Sequence, residues 1–159
     1  MKSKIDIELL EEHDAVNFYT IRFQDEETEV DKFLDQFPEG CEYENDINIL
    51  IKWIEEIGRR GALERYFRPE GRRSDGVCAV PIETSSLRLY VIRLTEQIVI
   101  LGNGGIKTTA TYNDDPVLNK QVSLLQEVDR FIRTRVHKGQ LIIYQKNIFG
   151  NLTFYLSSP

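Results

Sequence analysis

Leu87 to Leu101 reads LRLYVIRLTEQIVIL, and the fold is decided there. Two runs dense in aliphatic, β-branched and aromatic side chains, Leu87 to Leu94 and Gln97 to Leu101, flank Thr95-Glu96. Such runs across a two-residue turn predict an antiparallel hairpin. Upstream, Val77 to Glu83 (VCAVPIE) forms a third strand. Pro81 has no N–H for a ladder, which makes that strand an edge or bulged one.

Before this block, Ile47, Leu50, Ile51, Ile54 and Ile57 recur at helical spacing, with Gly58 or Gly61 able to end the helix. Glu26 to Phe37 is a shorter helix, with Val30, Phe33, Leu34 and Phe37 on one side. Lys4 to Leu10 alternates with period two, and Val16 to Phe23 is β-branched and aromatic, so the two read as an N-terminal hairpin. Downstream, Asp115-Pro116 opens a helix, with Asp as N-cap and Pro in its first turn. Leu118, Val122, Leu125, Asp129 and Ile132 mark its face, and Gly139 stops it. Leu141 to Gln145 and Leu152 to Leu156 read as two last strands joined across Phe149-Gly150-Asn151. The order ββ-αα-βββ-α-ββ predicts a single α+β domain, a mainly antiparallel sheet packed against helices.

The 159 residues are 41% hydrophobic and 29% charged, as in ordinary globular chains. The longest apolar runs are far too short to span a bilayer, and acidic residues occupy the N-terminus, so a cytoplasmic location is expected. Cys41 and Cys78 lie far apart without a CxxC pair, and His13 and His137 are the only histidines. Neither a zinc site nor a histidine triad has its parts, and no cofactor is expected. Gly102 to Thr108 (GNGGIKT) fails as a phosphate loop, because Ile106 separates Gly105 from Lys107.

Charge is divided along the chain. Residues 1–58 hold 17 acidic and 5 basic side chains, whereas residues 59–159 hold 9 and 15. Arg59, Arg60, Arg65, Arg68, Arg72 and Arg73 cluster around Tyr66 and Phe67. Arginine forks with interleaved aromatics suit phosphates and unstacked bases, while the plainer alternative is a solvated loop paired with the acidic third.

The helix INILIKWIEEIGRRG, the strand LRLYVIRL, the strand IVIL running into GGIKTT and the helix start DDPVLNKQV occur in an order that resembles the RelE/HigB-like toxin superfamily. The resemblance covers residues 47–135 and is nearest the phage-derived HigB-like branch found beside antitoxin genes. It implies a RelE-like core, with residues 1–40 as an acidic extension carrying the added hairpin and residues 140–157 as appended strands. It also implies a toxin of a toxin–antitoxin system that cleaves mRNA at the ribosome and is restrained by an antitoxin protein. Arg88 and Tyr90 match the family's Arg-Tyr strand, and Lys107 matches the first of its paired lysines. Thr108 stands at the second lysine, and Ala79 to Glu83 replaces the usual Glu-Leu-Arg strand.

Metal-independent endoribonuclease chemistry needs a base, an acid and cations at the phosphate. Arg88, Tyr90 and Lys107 are therefore the expected catalytic set, with Tyr112 a second phenol; the plainer alternative is that Tyr90 packs in the core and Arg88 pairs with a carboxylate. Arg65, Arg68, Arg72, Arg73 and Arg93 are the expected RNA-binding set. The alternative is a non-catalytic binding or regulatory module on the same fold. Residues 1–35 are expected to extend the sheet or to cover part of the basic surface; the plainer alternative is that the hairpin only completes the core, with Ile5, Ile7, Phe18 and Ile21 needed for stability.

Overall fold

The computed structural model describes residues 2–69, 76–81, 86–108 and 115–157. Strands β1 (Lys2–Glu12) and β2 (Asn17–Phe23) precede helices α1 (Glu29–Asp35) and α2 (Glu44–Arg60). A single 3-10 turn at Glu64–Tyr66 leads into β3 (Arg68–Pro69), β4 (Val77–Pro81), β5 (Leu87–Thr95) and β6 (Ile98–Ile106). Helix α3 (Pro116–His137) and strands β7 (Leu141–Tyr144), β8 (Asn147–Gly150) and β9 (Thr153–Ser157) complete the chain. The class is α+β with a mostly antiparallel sheet.

Among the described residues seven strands form one sheet in the order β3-β4-β5-β6-β2-β1-β9. Every pairing in it is antiparallel except β2 with β6, which run parallel from Asn17↔Ile98 to Thr20↔Leu101. Residues 17–21 of β2 and 98–105 of β6 are buried without a break. Such runs belong to interior strands covered on both faces. Alternate side chains of the sheet accordingly enter two cores. Tyr19, Ile21, Tyr90, Ile92, Ile98 and Ile100 pack with α3, whereas Phe18, Leu89, Val91, Val99 and Leu101 pack with α1 and α2.

The helices sit where their caps and stripes place them. Asp115 accepts hydrogen bonds from the N–H groups of Val117 and Leu118, and Pro116 needs no such partner. Leu118, Val122, Leu125, Val128, Asp129 and Ile132 are buried, and Asp129 is held by Arg133 at 2.8 Å. On α2, Ile47, Leu50 and Ile57 are buried but Ile51 is 41% exposed, so the apolar stripe is wider than the contact. Gly58 is required where α2 meets the β1–β2 turn. A Cβ there would lie 2.5 Å from the His13 ring.

Three expectations change. The first helix is shorter than Glu26 to Phe37, because Thr28 caps it by accepting from the Asp31 N–H. Strand β4 is not at the edge, since β3 covers Cys78 and Ala79; Pro81 lies beyond that cover. Phe149 and Gly150 are not a turn. They belong to β8, which folds back on β7 through Gln145-Lys146, with Gln145 at φ 52°. Gly150 has φ 126°, and a Cβ there would meet the Gln140 carbonyl at 2.6 Å, so its glycine serves strand packing. The last strand then joins β1 at the far edge of the sheet.

Candidate nucleic-acid interface

Opposed residues of antiparallel strands share a face. Arg68 lies opposite Ala79 and Ala79 opposite Tyr90, while Arg88 lies opposite Gly105. Lys107 continues this ladder, its N–H donating to the Ser86 carbonyl at 2.8 Å. Arg68, Arg88, Tyr90 and Lys107 therefore all belong to the face that carries α3. Arg88 and Lys107 are diagonal neighbours, at the spacing of roughly 7–8 Å usual for such pairs. Arg68 is exposed on β3, and Arg88 and Lys107 are half-buried.

Tyr90 does not reach the surface. It is 0% exposed and packs in the α3-side core, because Leu118, Val122 and Leu125 cross β5 and β6. Strand alternation correctly pairs Arg88 and Tyr90 on one face, but the helix laid over that face seals the phenol. The proton-transfer role expected for Tyr90 is corrected accordingly: in this packing no substrate touches it.

Arg93 is also placed differently from expectation. Its Nε donates to the Ala62 carbonyl at 2.6 Å, and Glu64 and Glu96 each stand at 4.0 Å from its guanidinium. With the side chain 19% exposed, it ties the segment after α2 to the sheet. This is a structural clamp in place of an RNA contact. Arg72, Arg73 and Tyr112 lie outside the described residues.

Arg59, Arg60 and Arg65 have protein partners. Arg59 pairs with Glu56 at 2.6 Å, and Arg60 bonds the same carboxylate. Glu56 is held below its usual pKa, first by the hydrogen bond from Arg59 and then by the charges of Arg59 and Arg60. Arg65 is exposed and lies over the Tyr66 ring, 5.2 Å from its centroid. Its hydrogen bond and charge, aided by Arg60, hold the Tyr66 phenol below its usual pKa. Tyr66 and Phe67 are 9% and 8% exposed, and Tyr66 packs against Trp53. They are core side chains unable to stack a base.

A different region carries the properties that the arginine segment lacks. Residues 130–159 contain five Lys and Arg side chains and no Asp or Glu, while residues 59–129 hold 10 basic and 9 acidic residues. Nearly all of the positive balance of the second half thus belongs to the last thirty residues. Within them the outer face of β7–β8 exposes Ile142 by 61%, Tyr144 by 62% and Phe149 by 52%. Counting charge in thirty-residue windows, instead of two blocks, exposes this signal in the sequence.

A cleft of about 940 Å³ opens where β2 and β6 part company, β2 leading to α1 and β6 towards α3 on the opposite face. Phe23, Glu29, Lys32, Asn103, Val117 and Lys120 are among the residues lining it. Its buried charge is already balanced, the Glu29 carboxylate meeting Lys32 at 2.7 Å. Asn103 and Gln36 close the β6 edge there: Asn103 Oδ1 accepts from the Gly104 N–H and Gln36 donates to the Gly104 carbonyl. Among the described residues, no cluster of His, Cys, Asp and Glu is suited to a metal, and no helix is long and apolar enough to cross a membrane.

No protein-family model matches the chain, and no solved structure matches it.

Proposed function

We propose that the protein is a regulatory module that binds RNA without cleaving it. The observation that carries this reading is the common face of Arg68, Arg88 and Lys107, from which Tyr90 is withdrawn. Cations on one face hold a phosphate backbone, whereas metal-free cleavage also needs groups that take and give a proton. Among the described residues the two histidines are remote from this face. His13 lies at the β1–β2 turn against Phe18, and His137 at the far end of α3.

The test is incubation of purified protein with an end-labelled, unstructured RNA. The expected result is binding that weakens steeply with salt, with the RNA recovered intact. Cleavage that disappears in the Arg88→Ala variant would overturn the proposal.

A second reading has its own support. Over residues 44–137 the elements run α2, β3 to β6, then a Pro-started α3, with α1 ahead of them. That order, two helices before an antiparallel sheet and a closing helix, favours a toxin-type ribonuclease with an antitoxin partner. Growth arrest on induced expression, relieved by Lys107→Ala, would establish that reading over the first.

A further inference from the structure

We propose that the outer face of β7–β8 is a stacking platform for single-stranded nucleic acid, separate from the Arg68–Arg88–Lys107 face. The inference rests on the reading of the chain as an RNA-binding protein and adds a second site to it.

The geometry follows from the register. Ile142 lies opposite Phe149, and Tyr144 opposite Asn147. Ile142, Tyr144, Asn147 and Phe149 therefore share one face, while Leu141 and Ile148 point the other way into the core. Tyr144 and Phe149 are diagonal neighbours on adjacent strands, a spacing within reach of consecutive unstacked bases. A soluble chain gains nothing in stability by leaving three large apolar side chains together in water, so such a cluster marks a contact surface.

Charge selects the occupant. Lys138 ends α3 just before β7 and is exposed, and Lys146 sits in the β7–β8 turn at the platform's other end. The Lys146 ammonium donates to the His13 carbonyl at 2.8 Å, which fixes its position without neutralising it. Arg130 and Arg133 are paired with Glu127 and Asp129, while Arg135 lies over the Phe131 ring. Aromatic faces flanked by cations, in a stretch devoid of carboxylates, match a phosphate backbone with splayed bases. A neutral apolar partner would leave these cations unanswered.

The hairpin is held firmly enough to present the platform. The Ile148 N–H donates to the Tyr19 hydroxyl at 3.1 Å, Asn17 donates to Asn147 at 3.3 Å, and Leu141 and Ile148 fill the α3-side core.

Fluorescence anisotropy of labelled oligo(U), oligo(dT) and a blunt duplex against the intact protein tests the proposal. Tyr144→Ala with Phe149→Ala should weaken oligo(U) and oligo(dT) binding by roughly tenfold or more, since a stacked base contributes that much. The melting temperature should not change, because both rings are exposed. Lys138→Gln should lower the salt slope by about one phosphate contact. Duplex binding equal to oligo(U) binding overturns stacking. If oligo(U) binding falls only in Arg88→Ala or Lys107→Ala, the platform is wrong and the first face stands. If it falls only in the Tyr144 and Phe149 variant, the platform stands and the first face is wrong. Self-association abolished by the double variant, with RNA affinity unchanged, also overturns the proposal, the patch then being a contact between copies.

Discussion

In residues 59–69 four arginines surround two aromatic rings, and in residues 130–150 five cations surround another set. The rings of the first set turn inward and Arg59, Arg60 and Arg65 lean on Glu56 and Tyr66, while Arg68 stands on the face proposed to hold RNA. Arg59 and Arg60 share Glu56, and Tyr66 and Phe67 are buried under α2. The second turns outward: among the described residues its carboxylate partners are Glu127 and Asp129 from the preceding turn of α3, and Tyr144 and Phe149 stand in solvent. The difference comes from neighbours. Glu55, Glu56 and Glu64 lie within helix or turn reach of the first set, whereas no acidic residue follows Asp129. A charged run in a sequence becomes a charged surface only where the fold supplies no counterions and no core for its aromatics.

The largest expected effect separates the two sets by stability. Phe67→Ala should cost about 3–5 kcal/mol, the usual loss for a buried phenylalanine. Phe149→Ala should stay within about 0.5 kcal/mol, as expected of an exposed site. Urea unfolding of the two variants measures both. Similar costs would erase the contrast between an inward and an outward aromatic.

Arg93→Ala comes next. It removes the charged hydrogen bond to the Ala62 carbonyl, worth about 1.5–3 kcal/mol for such a bond. Its RNA affinity should be unchanged, because the guanidinium is spent within the protein. Weakened binding at preserved stability would return Arg93 to the RNA-binding set.

Much of this architecture was legible because it is local. The Ile47, Leu50, Ile57 stripe, the Asp115-Pro116 helix start and the LRLYVIRLTEQIVIL hairpin each depend on residues a few positions apart. The joining of β2 to β6 depends on residues about 80 positions apart, and no period or turn residue announces it. The same holds for β9 against β1, across roughly 150 positions. Thus the choice between the two readings of the N-terminal hairpin rested on pairings the sequence does not announce: Ile5, Ile7, Phe18 and Ile21 are core side chains, as the plainer reading has it, and β2 is an interior strand. Of the site, alternation alone gives the shared face of Arg88 and Tyr90, but the covering of Tyr90 is a matter of where α3 lands. The β7–β8 turn was hidden for a different reason. Gln145 takes the left-handed conformation usually left to Gly or Asn, while the real glycine, Gly150, ends strand β8.

That misplaced glycine yields a third test. Gly150→Ala puts a Cβ 2.6 Å from the Gln140 carbonyl and 2.8 Å from Leu141 Cδ2, at φ 126°. A strained backbone of this kind costs about 1–3 kcal/mol. The loss should be concentrated in β7–β8, seen as faster hydrogen exchange over residues 141–150 with the large sheet unchanged. Oligo(U) affinity should fall with it. Unchanged exchange would mean that the hairpin accommodates a side chain there, and that its register is looser than described.

The smallest effect is spectroscopic and asks directly whether nucleic acid visits the first set. The Tyr66 phenol is held below its usual pKa, chiefly by the hydrogen bond from Arg65. For an acid whose folded pKa is lowered, the resulting stability is fully present above the ordinary phenol range and is lost as pH falls through the lowered value. Arg65→Ala should therefore move the Tyr66 phenolate absorbance transition to higher pH and remove the wild type's relative gain in stability under alkaline conditions. Oligo(dT), which survives alkali, supplies the comparison. A phosphate drawn to Arg65 competes with the phenolate for the guanidinium and must raise the Tyr66 transition. With the ligand on β7–β8, the Tyr66 transition should stay where it is in the free protein while the anisotropy reports binding. A rise on adding oligo(dT), absent in Arg65→Ala, would place nucleic acid on the Arg65–Tyr66 pair and break the contrast between the two sets of rings.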